Sequence, residues 1–306
     1  HQLKDSGATA IVILENFAHT LQEVLENTPV KTVITTQLGD LFPFPKRPLV
    51  NFVVKRVKKM VPAWTIAGAV PFRRTLDEGA TKTLTDAQLN HDDLAFLQYT
   101  GGTTGVSKGA MLTHGNLVAN LQQASAWLSP VSKPAEETII TALPLYHIFS
   151  LTANCLTFMK VGGHNILITN PRDMPGFVKE LSKVRFTGIS GVNTLFNGLL
   201  HTPGFERLNF SALKLCLSGG MALQRAVAER WKQVTGVSLI EGYGLTETSP
   251  AVTFNPLTLP EYNGSIGLPM PSTELSIRND EGQELGLGEA GEICVRGRQV
   301  MRGYWN

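Results

Sequence analysis

The stretch Tyr99-Thr100-Gly101-Gly102-Thr103-Thr104-Gly105-Val106-Ser107-Lys108-Gly109 gathers what a polyanion needs. Its glycines let backbone amides turn inward, the hydroxyls of Thr100, Thr103 and Thr104 add donors, and Lys108 brings a positive charge. The apolar run Leu94-Ala95-Phe96-Leu97 before it reads as a buried strand, and Asn116-Leu117-Val118-Ala119-Asn120-Leu121 after it has helical spacing. The stretch is therefore expected to be a phosphate loop leading from strand to helix. An ordinary connecting turn also favours Gly and Thr, but such turns run to about 2–6 residues and rarely combine so many hydroxyls with a lysine. Two better-known nucleotide motifs do not fit. A Walker A loop needs G-x-x-x-x-G-K-[ST], whereas Lys108 stands between Ser107 and Gly109, and no G-x-G-x-x-G is present in the loop.

Two further loops hold groups with chemical potential. Leu143-Pro144-Leu145-Tyr146-His147-Ile148-Phe149 places one titratable histidine among apolar and aromatic side chains, and Glu241-Gly242-Tyr243-Gly244-Leu245-Thr246-Glu247-Thr248 offers an aromatic plane, a hydroxyl and a carboxylate. Brought together, the three loops supply an ATP–Mg²⁺ site: amides and lysine for phosphate, an aromatic face for the base, an acid for the metal. Taken singly, each residue also has a plainer reading, His147 and Tyr243 as packed core residues and Glu247 as a helix-start carboxylate.

The elements that must position these loops follow from periodicity. Residues 8–14 and 31–35 read as strands flanking a helix over 17–25, a β-α-β unit whose further partner strands come from elsewhere, in part from upstream of His1. From residue 138 the alternation is regular, with strands over 138–143, 165–168, 186–190, 213–217 and 238–240. Helices over 149–161, 174–184, 194–201 and 222–234 lie between them. This predicts an α/β protein with doubly wound parallel sheets, the second complete and the first partial, whose ligands sit at the carboxyl ends of the strands. The Gly- and Pro-rich tail, with alternating runs at 273–277 and 291–297 around the turn Asp280-Glu281-Gly282, reads as a small antiparallel sheet or partial barrel. The expected divisions are 1–90, 91–250 and 251–306.

Composition bounds the rest. A length of 306 residues, 42% hydrophobic and 17% charged, fits a globular protein, and a net charge of +2 gives no reason to expect nucleic acid as a partner. Cys155, Cys216 and Cys294 are odd in number and far apart, which suggests neither disulfides nor a metal site but reduced, buried residues of a cytoplasmic protein. No run of 18 apolar residues spans a bilayer. Residues 50–64, laid on a helical wheel, gather Val50, Val53, Val54, Val57, Met60, Val61 and Trp64 on one face and Lys55, Arg56, Lys58 and Lys59 on the other. That pattern is read first as a surface helix with a solvated basic face and second as a peripheral membrane anchor on the inner face of the membrane.

The three loops, together with Gly291 to Gly297, resemble in order and spacing the core motifs of the adenylate-forming ligase superfamily. Asp93 to Tyr99, Ala142 to Phe149, Gly191-Val192-Asn193-Thr194-Leu195-Phe196 and Gly264-Ser265-Ile266-Gly267-Leu268-Pro269 are most similar to bacterial long-chain fatty acyl-CoA ligases. The resemblance implies that fatty acid and ATP give acyl-AMP and pyrophosphate, and that coenzyme A then displaces AMP. It assigns Thr100, Gly101, Gly102, Thr103, Thr104, Gly105 and Lys108 to phosphate, Tyr99 to the nucleotide, and Thr100 and Glu247 to Mg²⁺. Ser218, Gly219, Gly220, Met221, Gly242, Tyr243, Gly244 and Leu245 go to the nucleotide, with Thr246 on the α phosphate. His147 stands beside the acyl carboxylate, and with Lys108 and Thr246 makes up the implied catalytic set. Leu145, Phe149, Val192, Asn193 and Phe196 are the acyl-chain candidates.

The pattern departs from the family at Gly101, where serine is common, and the chain stops at Asn306. The family continues beyond the Gly303-Tyr304-Trp305 position into a Thr-Gly-Asp segment and a domain with the adenylation lysine. The 306 residues alone are therefore expected to bind nucleotide weakly and to show little ligase activity. Two other readings stay open: a fatty acyl-AMP ligase loading a carrier protein, and a non-catalytic nucleotide-binding module. A homodimer is left open as well.

Overall fold

The structure is a computed structural model, and it describes residues 1–101 and 105–306; the calls on Gly102, Thr103 and Thr104 therefore lie outside the described residues. The chain forms two units, His1–Leu89 with Trp305–Asn306, and Asn90–Tyr304.

In the first unit, β1 (Ala10–Leu14), β2 (Thr32–Thr36) and β3 (Val70–Pro71) form a parallel sheet in that order. The third partner strand thus comes from downstream in this chain. Ala18 and Leu21 of helix Ala18–Val24 pack with Val33 and Ile66, and Ile11, Ile13 and Trp64 close over them. The continuous helix read over 50–64 is not what forms. An α-helical segment, Lys46–Phe52, passes into a π-helical turn, Val53–Val57, and Lys59 adopts a left-handed φ of 51° that stops it. Trp64 belongs to the core beyond that break, and Lys55 is tied at 3.1 Å to buried Glu15.

The second unit begins with β4 (Leu94–Thr100) and β5 (Lys108–Thr113), an antiparallel hairpin. β6 (Thr138–Thr141), β7 (His164–Leu167), β8 (Gly188–Gly191), β9 (Leu215–Ser218) and β10 (Leu239–Gly244) follow, then β11 (Ala251–Phe254) and β12 (Leu268–Pro269). They make one seven-stranded sheet of order β12-β11-β10-β9-β8-β6-β7, parallel from β10 to β7 with an antiparallel edge at β11 and β12. β13 (Glu274–Arg278) and β14 (Glu292–Arg296) pair antiparallel, and β15 (Tyr304–Trp305) joins the β5 edge of the hairpin.

Successive residues of a strand face opposite sides, and here both sides are buried. Ile140, Ile189, Cys216 and Leu239 face Phe177, Phe196 and Trp231 of the helices Met174–Leu181, Asn193–Leu200 and Arg225–Thr235. Ile139, Leu215 and Leu217 face Leu128 and Phe158 on the other side. Helices on both faces make the sheet doubly wound. Strand order reverses at β6, the topology that opens a crevice at the carboxyl ends. Of the three cysteines, all free, only Cys216 is buried, and burial pushes its thiol up to about 12; Cys155 and Cys294 are half-buried.

The start of β6 is pinned by a buried ion pair. Lys214 Nζ stands 2.6 Å from the Glu137 carboxylate, which also accepts from the Lys133 amide at 2.7 Å. Burial alone would raise the Glu137 pKa, but the hydrogen bonds from Lys214, Thr187 and Lys133 outweigh it and hold the carboxyl below its ordinary 4.5. A depressed carboxylate stabilises the fold above its ordinary pKa and loses that contribution as pH falls through its folded value. Lys214→Ala should therefore cost on the order of 2 kcal/mol at pH 7 by urea denaturation, and the difference from wild type should shrink below about pH 4. An equal loss at pH 7 and pH 3.5 would contradict the pair's role.

Candidate active site

Three strand ends and the hairpin surround a cavity of about 730 Å³, within the range of about 300–1,000 Å³ usual for small-molecule sites. The sequence predicts a loop running from strand into helix, and the structure corrects this. The loop joins two antiparallel strands, so Thr100 and Lys108 sit opposite each other across its mouth. Ser107 Oγ donates to the Thr100 carbonyl at 2.6 Å and narrows that mouth. The hairpin therefore stands outside the parallel sheet. It is held against it by Ile148, which packs with Ala110 and Leu112 of β5, and by Gln98 Nε2 donating to the Tyr146 carbonyl at 2.7 Å.

The second wall is the end of β10. Between Tyr243 and Gly244 the pairing with β11 slips by a residue, a bulge that bends the strand away from the sheet. A side chain on Gly244 would overlap the Pro250 carbonyl and one on Gly242 the Phe254 ring, so both positions need glycine for the strands to approach. The chain then turns back through Thr246–Thr248, with Leu245 N donating to the Pro250 carbonyl at 3.1 Å and Ser249 left-handed at φ 69°. Glu241, one residue before, faces inward and accepts from Leu223 N at 2.8 Å; burial raises its carboxyl, with that hydrogen bond working the other way. It serves the fold rather than the cavity.

The third wall follows β6. His147 is exposed at the cavity, and its Nδ1 accepts from Phe149 N at 3.2 Å, which leaves the neutral ring's proton on Nε2. At the end of β9, Ser218 is fully buried on the lining and its Oγ has no hydrogen-bond partner among the described residues. A buried hydroxyl without a partner costs stability unless a ligand satisfies it.

One participant was not foreseen. Tyr304 lines the cavity, donates its hydroxyl to Glu247 Oε1 at 2.5 Å, and lies with its ring centroid 5.4 Å from Lys108 Nζ. The hydrogen bond to Glu247, with burial and the carboxylate charge adding to it, pushes the phenol up to about 12, so it remains a donor at neutral pH. The only sequence signal was its place in an edge strand after a Gly; nothing local linked it to a carboxylate 57 positions away.

The predicted residues thus divide. Thr100, Gly101, Gly105, Lys108, His147, Phe149, Ser218 to Gly220 and Gly242 to Glu247 line this one cavity. Tyr99 lies behind it, its ring against Gly109, and Met221 is exposed outside the lining. Among the acyl-chain candidates only Phe149 reaches the wall. Phe196 is fully buried 4.8 Å from Trp231, Asn193 accepts from Gln224 N, Val192 packs in the same core, and Leu145 is exposed elsewhere. The apolar part of the lining comes instead from Ala124, Trp127, Leu128, Leu217, Phe254 and Met270. Apolar periodicity marks a buried face without saying whether it meets core or cavity.

A Long-chain-fatty-acid--CoA ligase of Escherichia coli O157:H7 is 56% identical over 305 residues, covering 100% of this chain and 54% of the relative. A protein of the same description from Yersinia pestis is 55% identical with the same coverage. The crystal structure of a long-chain-fatty-acid-CoA ligase from Archaeoglobus fulgidus superimposes with a TM-score of 0.77 at 26% identity, covering 100% of this chain and 56% of that one. The chain spans about half the length of the curated relatives it matches. Residues 1–305 match the family described as AMP-binding enzyme, and the chain belongs to that family.

Proposed function

We propose that this chain carries the adenylate-forming core of a long-chain fatty acid–CoA ligase, in which the fatty carboxylate attacks the α phosphorus of ATP, pyrophosphate leaves, and coenzyme A thiol then takes the acyl group as AMP departs. The observation that supports it best is the shared lining: Lys108, His147, Tyr243, Thr246 and Glu247 border one cavity that is polar at these residues and apolar at Trp127, Leu128 and Met270. In this reading the hairpin amides and Lys108 take the β and γ phosphates, Tyr243 and Ser218 to Gly220 hold the base, Thr246 takes the α phosphate, and His147 orients the carboxylate. Catalysis is then positioning and charge neutralisation.

A divalent cation fits the donor set. No group of three or more His, Cys, Asp or Glu that could hold a metal exists among the described residues. Mg²⁺ nonetheless commonly uses one or two carboxylates and completes its shell with substrate phosphates and water. Glu247 and Thr100 would hold it, and it would supply neutralisation of the triphosphate.

An exposed surface supports a separate proposal of peripheral membrane contact. Leu49, Phe52, Val57 and Met60 are 63%, 60%, 61% and 54% exposed, beside exposed Arg56, Lys58 and Lys59. No helix among the described residues is long and apolar enough to cross a membrane.

Full-length protein should show ATP–pyrophosphate exchange that depends on long-chain fatty acid, and Lys108→Ala or Glu247→Gln should lower it on the order of 100-fold; exchange that ignores fatty acid would refute the reading. Coenzyme A and a carrier protein offered side by side identify the acceptor. Ser218→Ala should leave stability unchanged or raise it by up to about 1 kcal/mol while weakening nucleotide or acyl-adenylate binding; a loss of stability with binding intact would show the hydroxyl to be structural. Arg56, Lys58 and Lys59 changed together to Ser should release the protein from anionic vesicles, whereas Lys55→Ser should not. Equal sedimentation of all three proteins would end the membrane proposal.

A further inference from the structure

The segment before Tyr304 is fixed by its main chain on two sides. Met301 N donates to the Glu247 carbonyl at 2.7 Å, Arg302 N to the Met111 carbonyl at 3.0 Å, and Met111 N to the Gly303 carbonyl at 2.9 Å. The Tyr304 side chain is thereby delivered between the start of β5, where Lys108 stands, and the turn that carries Glu247. Its ring lies under the Lys108 ammonium and its hydroxyl meets Glu247 Oε1. Oε2 has no hydrogen-bond partner among the described residues, and no Lys108–Glu247 ion pair is formed among them.

We propose that Tyr304 is a positioning residue that keeps Lys108 and Glu247 apart and separately available, by giving the cation an aromatic face and the carboxylate a fixed donor. The inference rests on the ligase reading for the identity of the ligand, but its geometry does not. A lysine and a glutamate bordering one cavity without a spacer would collapse into a direct ion pair. Each would then have to be pulled from the other before it could meet phosphate or a cation. A phenol ring answers both demands at once. Its face attracts an ammonium without neutralising it. Its hydroxyl makes a charge-assisted hydrogen bond with one carboxylate oxygen, which fixes the side chain in advance and leaves the second oxygen for a ligand. Phenylalanine would keep the first function and lose the second; alanine would lose both.

That separation of functions is the test. In calorimetric titrations of the full-length protein with ATP, with and without Mg²⁺, Tyr304→Phe should raise the Mg²⁺ concentration for half-saturation about 10-fold and leave Mg²⁺-free ATP binding and the melting temperature as in wild type. Tyr304→Ala should weaken Mg²⁺-free ATP binding as well, and its crystal structure should show Lys108 Nζ within about 4 Å of a Glu247 oxygen. An unchanged Mg²⁺ dependence in Tyr304→Phe, or Lys108 and Glu247 still apart in Tyr304→Ala, would overturn the proposal. If unsubstituted protein binds no ATP, the ligase reading fails, and the crystal structure still decides the role of the ring.

Discussion

The turn that carries Glu247 is set by backbone hydrogen bonds, and the site depends on them. β10 leaves the parallel sheet at a bulge, Leu245 N reaches back to the Pro250 carbonyl, and the Glu247 carbonyl receives Met301 N. These contacts bring the end of a buried parallel strand, an antiparallel hairpin and the last strand of the chain to one place. A glutamate on a free loop would sample many positions; here its main chain is held on one side and its carboxylate on the other. Preorganisation of this kind is what an electrostatic site needs, since charges that must reorganise on binding give up much of their effect.

The polar scaffold beneath the site is as constrained as the site. Helix His114–Leu128 begins with a capping box in which Thr113 and Asn116 satisfy each other, and the Asn116 amide then donates to the carbonyls of Arg298 and Val300 at 2.8 Å. Further along, Asn120 exchanges hydrogen bonds with the Ala251 main chain, and Gln123 donates to the Pro271 carbonyl, Thr273 and Gln299. Spaced at i, i+4 and i+7, the three amides form a stripe on one helix face. They tie the segment leading to Tyr304 to the strand that follows Glu247. Buried amides with every partner supplied favour one arrangement over near alternatives, because any slip leaves polar groups unsatisfied in the interior.

Where residue type itself carried the chemistry, the sequence was readable. Lys108 among glycines and threonines, His147 in an apolar loop and Tyr243 near Glu247 are unusual enough in kind to stand out, and the structure places all four on one lining. The doubly wound sheet was readable because its strands are short, apolar on both faces and separated by amphipathic helices. Residues 108–113 were not read as a strand, since Lys-Gly-Ala-Met-Leu-Thr is short, holds a glycine and runs straight into a helix. The break at Lys59 was hidden because a helical wheel assumes continuity and cannot register one left-handed residue. Phe196, an acyl-chain candidate by sequence, is fully buried in the core while Trp127 lies on the cavity, and apolar residues at helical spacing do not tell the two places apart. Tyr304 was invisible for a different reason: its meaning is a contact across the fold.

The account stands on a single cleft shared by the hairpin, the Tyr243 turn and Glu247. Its most direct test is a crystal structure of the protein with ATP and Mn²⁺, using the anomalous signal of the metal to locate it independently of the nucleotide. The account predicts the anomalous peak beside the Glu247 carboxylate, the triphosphate against the hairpin near Lys108, and the adenine ring against Tyr243. A nucleotide bound elsewhere, or a metal peak away from Glu247 with this cavity left to solvent, would contradict it.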